Sequence, residues 1–341
     1  MTVIIILSFA IPIFILHSLS LKNNTVAVIS DEENKNKFIK YAEFNIPYEA
    51  LEKAMKADIN SHDKEIKINW IEVLSYLATK YGGDFKSQYN DKDLEEIISD
   101  INSGKSVDDL SKNMKTYGYF KEVYTAVLGE FIGNYSIQVD TNKETNEPIY
   151  EEKYGLKVFS PIAKTFPYQH YDDFGCKRTY GYSRPHLGHD MMAATGTPVV
   201  AIESGTVEVM GWNQYGGWRI GIRSFDKKRY YYYAHLRKDK PFHEDISEGK
   251  IIKAGDVIGY VGRTGYSPHE NVNNIETSHL HLGLELVFDE SQKESNNEIW
   301  IDMYNIAKLL SKNKSEVERS PESKQYHRKY DFKEPLLDSI L

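Results

Sequence analysis

The sequence has little cysteine and no excess of positive charge, and both shortages narrow the functions it can have. Its 341 residues include one cysteine, Cys176, which excludes an intramolecular disulfide framework and a metal site built from several thiolates. Lysine and arginine number 42 against 50 aspartates and glutamates, for a formal net charge of −8 at pH 7. Because nucleic-acid binding depends on clustered basic side chains that release counterions, no nucleic-acid partner is expected.

The amino terminus also lacks charge. The segment from Thr2 to Leu21 contains no Asp, Glu, Lys or Arg and is dominated by Ile, Leu and Phe. This segment is about as long as a membrane span. Residues 1–21 are therefore predicted to be a transmembrane anchor or signal segment, followed by a polar linker over 22–45. Pro12 and the absence of basic residues before the apolar run leave three alternatives open: a signal anchor, a cleaved signal or a misplaced start codon.

The rest of the chain divides into a helical and a β-rich segment. Over residues 46–135, apolar residues recur at three- and four-residue spacings, which predicts a small all-α domain. Residues 136–155 are polar and are interpreted as a linker or a hairpin. Short Val-, Ile- and Tyr-rich runs broken by Gly predict an antiparallel β-sheet-rich domain over 156–300. Residues 301–341 are expected to form a C-terminal helix and a polar tail that is in part disordered, so the fold class is α+β.

The histidines are concentrated in the β-rich segment, where eight of the 11 lie between His170 and His281. In the strand-like run "SHLHLGLEL", His279 and His281 are two residues apart, so an extended backbone directs both imidazoles to one face and the intervening leucines to the other. Two imidazoles that converge on one point suit a Zn²⁺ ion or a hydrolytic water. On its own, the pair is also compatible with a partly exposed strand without metal.

A second element, "RPHLGHDMM", adds a histidine and a carboxylate. His186 and Asp190 lie four residues apart with Gly188 between them, a spacing that lets both side chains face one way. Together with a histidine from the other element, they form a three-ligand set that leaves one coordination position for water, as in catalytic zinc sites. His235, in "YYYYAHLRK", is a single histidine beside aromatic residues, which is usually a packed or surface residue. It becomes a candidate functional residue only because the two elements above supply a metal site that it could serve.

These elements carry a family resemblance. In order along the chain, "HLGHD", "YAHL", "AGDVIGYVGRTG" and "HLH" resemble the motifs of the lysostaphin and LytM-type zinc endopeptidases, which cut peptide cross-links of bacterial cell walls. The resemblance covers about Phe159 to Phe288, less than half of the chain. It implies the duplicated hybrid motif fold of that family, one Zn²⁺ per chain, and the stem or cross-bridge peptides of peptidoglycan as substrate.

Position by position, the resemblance implies that zinc is bound by His186, Asp190 and His281, with His279 and His235 as the catalytic imidazoles. Two features depart from the family pattern. An insertion over residues 266–278 is expected to reshape one wall of the substrate groove. The additional imidazole of His189 is expected to have a supporting or exposed role rather than to bind the ion.

The leading hypothesis is a membrane-anchored zinc metalloendopeptidase that remodels or lyses the cell wall, with a single-pass anchor and the peptidase domain outside the cytoplasm. If the N-terminal segment is cleaved, the protein is secreted instead. One alternative is a non-catalytic envelope scaffold or an activator of wall hydrolases with the same fold. On either hypothesis, envelope proteins are candidate partners of the helical domain. Another is a carrier domain of the sugar-phosphotransferase type, which needs a phosphorylatable histidine but no paired His and Asp ligands.

Overall fold

The computed structural model describes residues 38–293, 295 and 297–340. The predicted membrane segment 1–21 and the linker as far as residue 37 lie outside the described residues. Within the described part of the chain, no helix is both long enough and apolar enough to cross a bilayer.

Six helices form in residues 46–135, the segment predicted to be helical. Asn69 caps the second helix by accepting hydrogen bonds from the backbone N–H groups of Ile71 and Glu72, and Asn90 caps the fourth by accepting one from Lys92 N–H. These side chains satisfy donors that the first helical turn leaves free. The helices are α1 Tyr48–Ser61, α2 Trp70–Lys80, α3 Phe85–Gln88, α4 Asp91–Asn102, α5 Val107–Ser111 and α6 Tyr117–Leu128.

The predicted antiparallel sheet is confirmed, and together with the helices it makes the fold α+β. The main sheet has eight strands, which are ordered β11-β8-β9-β10-β13-β6-β3 with β14 beside β13. Its strands are β3 Gln169–His170, β6 His189–Met192, β8 Gly205–Asn213, β9 Gly217–Ser224, β10 Arg229–Ala234, β11 Ile251–Ile252, β13 His279–Leu286 and β14 Ile299–Trp300. Two short pairs flank it: β4 Lys177–Arg178 with β5 Arg184–Pro185, and β7 Pro198–Val200 with β12 Val257–Tyr260.

The central strands alternate between a core face and a cleft face. In β13, Leu280, Leu282, Leu284 and Leu286 are fully buried, while His279 and His281 lie on the other face. This is the period of two that an extended backbone imposes. In β10, the fully buried Tyr231 and Tyr233 alternate in the same way with the tyrosines on either side.

Residues 136–155, interpreted as a linker or a hairpin, form the hairpin. Strands β1 Ile132–Thr141 and β2 Pro148–Leu156 pair along their length, and Tyr154 of β2 donates a hydrogen bond of 2.8 Å to Asp58 of α1. The segment is therefore packed against the helices rather than free between two units.

The C-terminal segment contains the predicted helix, α7 Tyr304–Leu310, but the expectation of partial disorder in the tail is wrong over its described residues. The fully buried Phe332 packs against Tyr135 and Phe159, with ring centroids 5.6 Å apart in both contacts. The tail has few apolar residues, but some of them are buried in the core. The low average hydrophobicity of the tail therefore gave a wrong prediction of disorder. The tail forms β15 Val317–Arg319, β16 Tyr326–Arg328, β17 Phe332–Lys333, which pairs with β1, and α8 Pro335–Ile340.

A buried arginine joins the helices to the sheet. The fully buried Arg229 makes a bidentate ion pair with Glu203, at 2.8 and 3.0 Å, and donates a further hydrogen bond to the Ala126 carbonyl of α6. Around it, buried side chains of α1–α6 and of the main sheet form one continuous apolar core. The helical segment is thus packed against the main sheet in the same core.

We expect Arg229→Ala to lower the free energy of unfolding by roughly 3–5 kcal/mol, because the substitution leaves the Glu203 carboxylate buried without its partner. Urea unfolding followed by circular dichroism measures this loss. The matched control is Lys105→Ala, which removes an exposed ion pair with Asp100 and should cost less than about 1 kcal/mol. Equal losses in both variants would contradict a structural role for Arg229.

Candidate metal centre

Three atoms with lone pairs meet at one point in the cleft. His186 Nε2 lies 2.9 Å from His281 Nδ1 and 3.1 Å from Asp190 Oδ1, and the two latter atoms are 3.0 Å apart. Tetrahedral zinc with bonds of about 2.0–2.2 Å holds its ligand atoms about 3.3–3.5 Å apart, so a small expansion of this triangle accommodates the ion. The three residues that the sequence analysis assigns to the metal are brought together.

The register of the main sheet produces this convergence. His281 of β13 pairs directly with Asp190 of β6, and opposite residues of an antiparallel pair project to the same face. On the other side of β13, Ala234 is opposite His281, so His235, the next residue after β10, reaches the same cleft. His186 enters from the loop that follows β5.

Gly188 is required by the ring of His281. A Cβ atom at position 188 would lie within 2.5 Å of His281 Nε2, a contact that real side chains do not make. The absence of a side chain at position 188 therefore makes room for the ring of His281, a candidate ligand.

Two residues outside the predicted set hold the ligands in place. Arg178 Nη2 donates hydrogen bonds to Asp190 Oδ2 at 2.9 Å and to Asp173 Oδ2 at 2.8 Å. Asp173 Oδ2 in turn lies 3.2 Å from His186 Nδ1. No motif marks Arg178 or Asp173, although "CKRTYGYSR" places two arginines shortly before His186. Such partners fix the orientation of ligands and strengthen metal binding.

Charge in the centre follows from these contacts. Burial disfavours ionised Asp190, but hydrogen bonds with His186 and His281 outweigh it and hold the pKa of this carboxyl well below its usual range. Burial lowers the pKa of His186, yet its hydrogen bonds to Asp173 and Asp190 raise it overall, to about 9. The Asp190 carboxylate is thus ionised, and its surroundings favour a positive charge beside it. A divalent metal ion would supply such a charge.

The two candidate catalytic imidazoles share one hydrogen-bonding arrangement. His279 Nδ1 lies 2.8 Å from the Thr277 carbonyl oxygen, and His235 Nδ1 lies 2.9 Å from that of Thr264. A carbonyl only accepts hydrogen bonds, so each ring donates through Nδ1, and Nε2 is the nitrogen that has the lone pair when the ring is neutral. His279 Nε2 is 3.7 Å from Asp190 Oδ1, and the His235 and His279 ring centroids are 4.8 Å apart.

His235 is held under backbone strain and in the neutral form. Its φ of 59° lies in the left-handed region, which is unfavourable for a residue with a side chain and is concentrated at functional sites. Burial, reinforced by the nearby His279 and His281, holds the pKa of His235 well below its usual value. The ring is therefore a neutral base at pH 7.

The other histidines of the cleft region lie outside the centre. His189 is buried and faces away from the ion ligands, with Nε2 2.9 Å from His170 Nδ1. Burial and the neighbouring His170 lower the pKa of His189 to about 4. The sequence predicts either a supporting or an exposed position for His189, and the prediction of an exposed position is wrong. His269 in the 266–278 insertion is an exposed loop residue.

A cavity of about 420 Å³ opens beside the centre. One wall is aromatic: Tyr180 and Tyr266 stack with centroids 4.7 Å apart, and the Arg184 guanidinium lies 4.7 Å from the Tyr215 ring centroid. Tyr266, the first residue of the insertion, lines the cavity. Tyr232 lines the floor.

Comparison with known proteins identifies this region. The model of peptidase family M23 matches residues 184–295, a range that contains His186, Asp190, His235, His279 and His281. Residues 184–295 form a domain of peptidase family M23. The resemblance to lysostaphin and LytM-type proteins that the motifs carry is thereby confirmed.

Proteins similar to this chain include an L-Ala–D-Glu endopeptidase and lysostaphin. The L-Ala–D-Glu endopeptidase of Bacillus subtilis (strain 168) is 31% identical over 216 residues, which cover 63% of this chain and 61% of that protein. Lysostaphin of Staphylococcus simulans is 38% identical over 104 residues, 27% of this chain and 20% of that protein. The chain therefore spans less than two thirds of the length of either relative. The solved catalytic domain of Staphylococcus simulans lysostaphin is 30% identical and superposes with a TM-score of 0.31, covering 41% of this chain and 92% of that one.

We expect His281→Ala and His279→Ala to separate metal binding from turnover in the M23 domain. His281→Ala removes a ligand atom, so zinc affinity should fall more than about 100-fold, beyond the 10–100-fold typical of a lost ligand partner. His279→Ala should retain zinc, because Nε2 of this ring lies outside the ligand triangle. Inductively coupled plasma mass spectrometry on the desalted variants measures bound zinc, and equal zinc loss in both would contradict this division.

Loss of the Arg178 side chain should weaken metal binding without removing a ligand. Arg178→Gln releases Asp190 Oδ2 and Asp173 from their shared donor, and we expect roughly 10–100-fold weaker zinc affinity in competition with a chelator. The control is Arg263→Gln, whose exposed side chain donates a hydrogen bond to the Ile275 carbonyl at 3.2 Å. Unchanged affinity in Arg178→Gln would show that Asp190 is oriented by the ligands alone.

Proposed function

We propose that the protein is a zinc-dependent endopeptidase that hydrolyses peptide bonds of bacterial peptidoglycan. One observation carries the proposal: backbone carbonyls hold the Nδ1 atoms of two imidazoles, His235 and His279, so Nε2 of each ring is the nitrogen left to accept a proton. Both rings lie beside a set of two imidazoles and one carboxylate suited to zinc. Metal ligands alone would serve a structural site equally well. The additional pair of bases is what hydrolysis needs.

His186, Asp190 and His281 would hold the ion. When bound, zinc supplies a Lewis acid that polarises the scissile carbonyl and lowers the pKa of an attacking water towards neutrality. An imidazole Nε2 then accepts the water proton and, as imidazolium, delivers it to the leaving amine. The hydrogen bonds of His235 and His279 to backbone carbonyls hold the accepting nitrogens in place, so no reorientation precedes proton transfer.

The substrate proposed is the stem or cross-bridge peptide of the wall. It is supported by the family and by the relatives named L-Ala–D-Glu endopeptidase and lysostaphin. The cleft also offers a cation, since Arg184 lies between tyrosine rings and donates to the Tyr180 carbonyl at 2.7 Å. No carboxylate among the described residues is within ion-pair distance of it. A free carboxylate of an acidic stem peptide is a suitable partner for this guanidinium.

The location follows from the substrate. We propose that segment 1–21 anchors the chain in the cell membrane, or directs its secretion if cleaved, so that the peptidase faces the wall. The proposal rests on the apolar composition of that segment. We also propose that the helical segment binds other proteins of the cell envelope.

The function is tested on purified wall sacculi. The zinc-loaded full-length chain should release new amino termini, detected by mass spectrometry, and His281→Ala should release none. The identity of the new termini defines the bond that is cut. A zinc-loaded protein that cuts no sacculus of several wall chemotypes would overturn the proposal and favour a scaffold or activator of other hydrolases.

The role of Arg184 has its own prediction. With soluble stem peptides that carry a free D-Glu carboxylate, Arg184→Ala should raise KM roughly 10–100-fold, as expected for loss of a charge-assisted hydrogen bond of about 1.5–3 kcal/mol. With the same peptides amidated at that carboxylate, the KM values of the two proteins should be similar. A rise that is equal for both peptides would indicate a general disturbance of the cleft wall, and Arg184→Lys tests whether charge alone restores binding.

A further inference from the structure

A second group of two imidazoles and a carboxylate lies away from the cleft. It consists of His243 and Asp245, in the loop between β10 and β11, and His327 of β16 in the C-terminal tail. None of the three lines the cavity beside the metal centre. The family motifs do not include them, and neither the hydrolytic chemistry nor the ligands described above use them.

His243 is an unusual side chain to bury. Its side chain is 4% exposed, and its Nε2 atom has no hydrogen-bond partner among the described residues. The backbone N–H of Asp245 donates to Nδ1 at 3.2 Å. A buried polar nitrogen without a partner costs about 1–3 kcal/mol, so the ring is poorly satisfied where it lies. Nδ1 is the nitrogen that faces the Asp245 carboxylate, and an ion bound there would replace its 3.2 Å hydrogen bond.

The geometry is that of an open three-ligand set. His243 Nδ1 lies 3.7 Å from Asp245 Oδ2, the His243 and His327 ring centroids are 4.7 Å apart, and one ligand atom from each residue lies within 4.8 Å of the others. Zinc would require separations of about 3.3–3.5 Å. Asp245 is 63% exposed and His327 is half-buried, so both side chains have room to close onto the ring of His243.

The two sides of this set come from different parts of the fold. The loop is fixed to the sheet, since His243 N–H donates to the Ile258 carbonyl at 3.1 Å. The tail hairpin β15–β16 reaches the loop through polar contacts, such as Glu244 N–H to Gln325 Oε1 at 3.3 Å. An ion bound between His243 and His327 would join the hairpin to the peptidase fold with bonds much stronger than these contacts.

We propose that His243, Asp245 and His327 form a second transition-metal site of the zinc class, which fastens the C-terminal hairpin to the loop after β10. Two imidazoles and one carboxylate are ligands that Zn²⁺ binds well, and the site leaves a fourth position to water or a neighbouring group. The inference is independent of the hydrolytic function, because its residues take no part in the cleft.

Metal stoichiometry of the full-length protein tests the proposal. Chelator-treated protein is reloaded with zinc, desalted and analysed by inductively coupled plasma mass spectrometry. We expect two zinc ions per chain in the unmodified protein, one in His281→Ala, one in His327→Ala and none in the double variant. His327→Ala is preferred to a change at buried His243, which could unfold the loop. His269→Ala, at an exposed histidine outside both sites, is the matched control and should retain two.

A second readout follows the tail itself. In the His281→Ala background, added zinc should raise Tm and slow proteolysis of the tail, and both effects should vanish when His327→Ala is added. A single zinc in the unmodified protein that His281→Ala removes would overturn the proposal, as would two zinc ions retained by His327→Ala. Either result would leave the test on wall sacculi unaffected.

Discussion

The buried carboxylate of Asp190 is the group on which the centre depends. Its Oδ1 atom is shared by His186 and His281, and its Oδ2 atom accepts from Arg178. A buried charge is tolerated only when it is paired and hydrogen-bonded, so the positions of these three partners are coupled to that of the carboxylate. The same coupling explains why the pKa of Asp190 is depressed although burial alone would raise it.

Around this carboxylate, the proposed metal ligands and the proposed bases differ in which nitrogen each imidazole directs at its neighbour. His279 and His281 are two residues apart on one strand, yet His281 points Nδ1 at Asp190, whereas His279 commits Nδ1 to the Thr277 carbonyl and leaves Nε2 free. His235 makes the equivalent commitment to Thr264. Backbone carbonyls, which do not titrate, thus define the protonation pattern of the proposed bases.

The peptidase fold is stabilised by parts of the chain that lie outside the matched domain. Arg229 links Glu203 of the sheet region to the end of α6, and Phe332 of the tail is buried beside Phe159. Because these contacts are in the core, the helices and the tail contribute to the stability of the sheet that carries the site. A regulatory or recruiting role for the helical segment would act on a unit already packed against the sheet.

The sequence by itself determined most of the elements and which residues are candidate ligands. Periodicity located the helices from Tyr48 to Leu128, and four ordered motifs carried His186, Asp190, His235, His279 and His281, because these signals are local in the chain. Only the tertiary structure decided what supports them. The register of β13 against β6, the bridge made by Arg178, the burial of Arg229 and the meeting of His243 with His327 are contacts between distant segments, and no local pattern encodes such pairings.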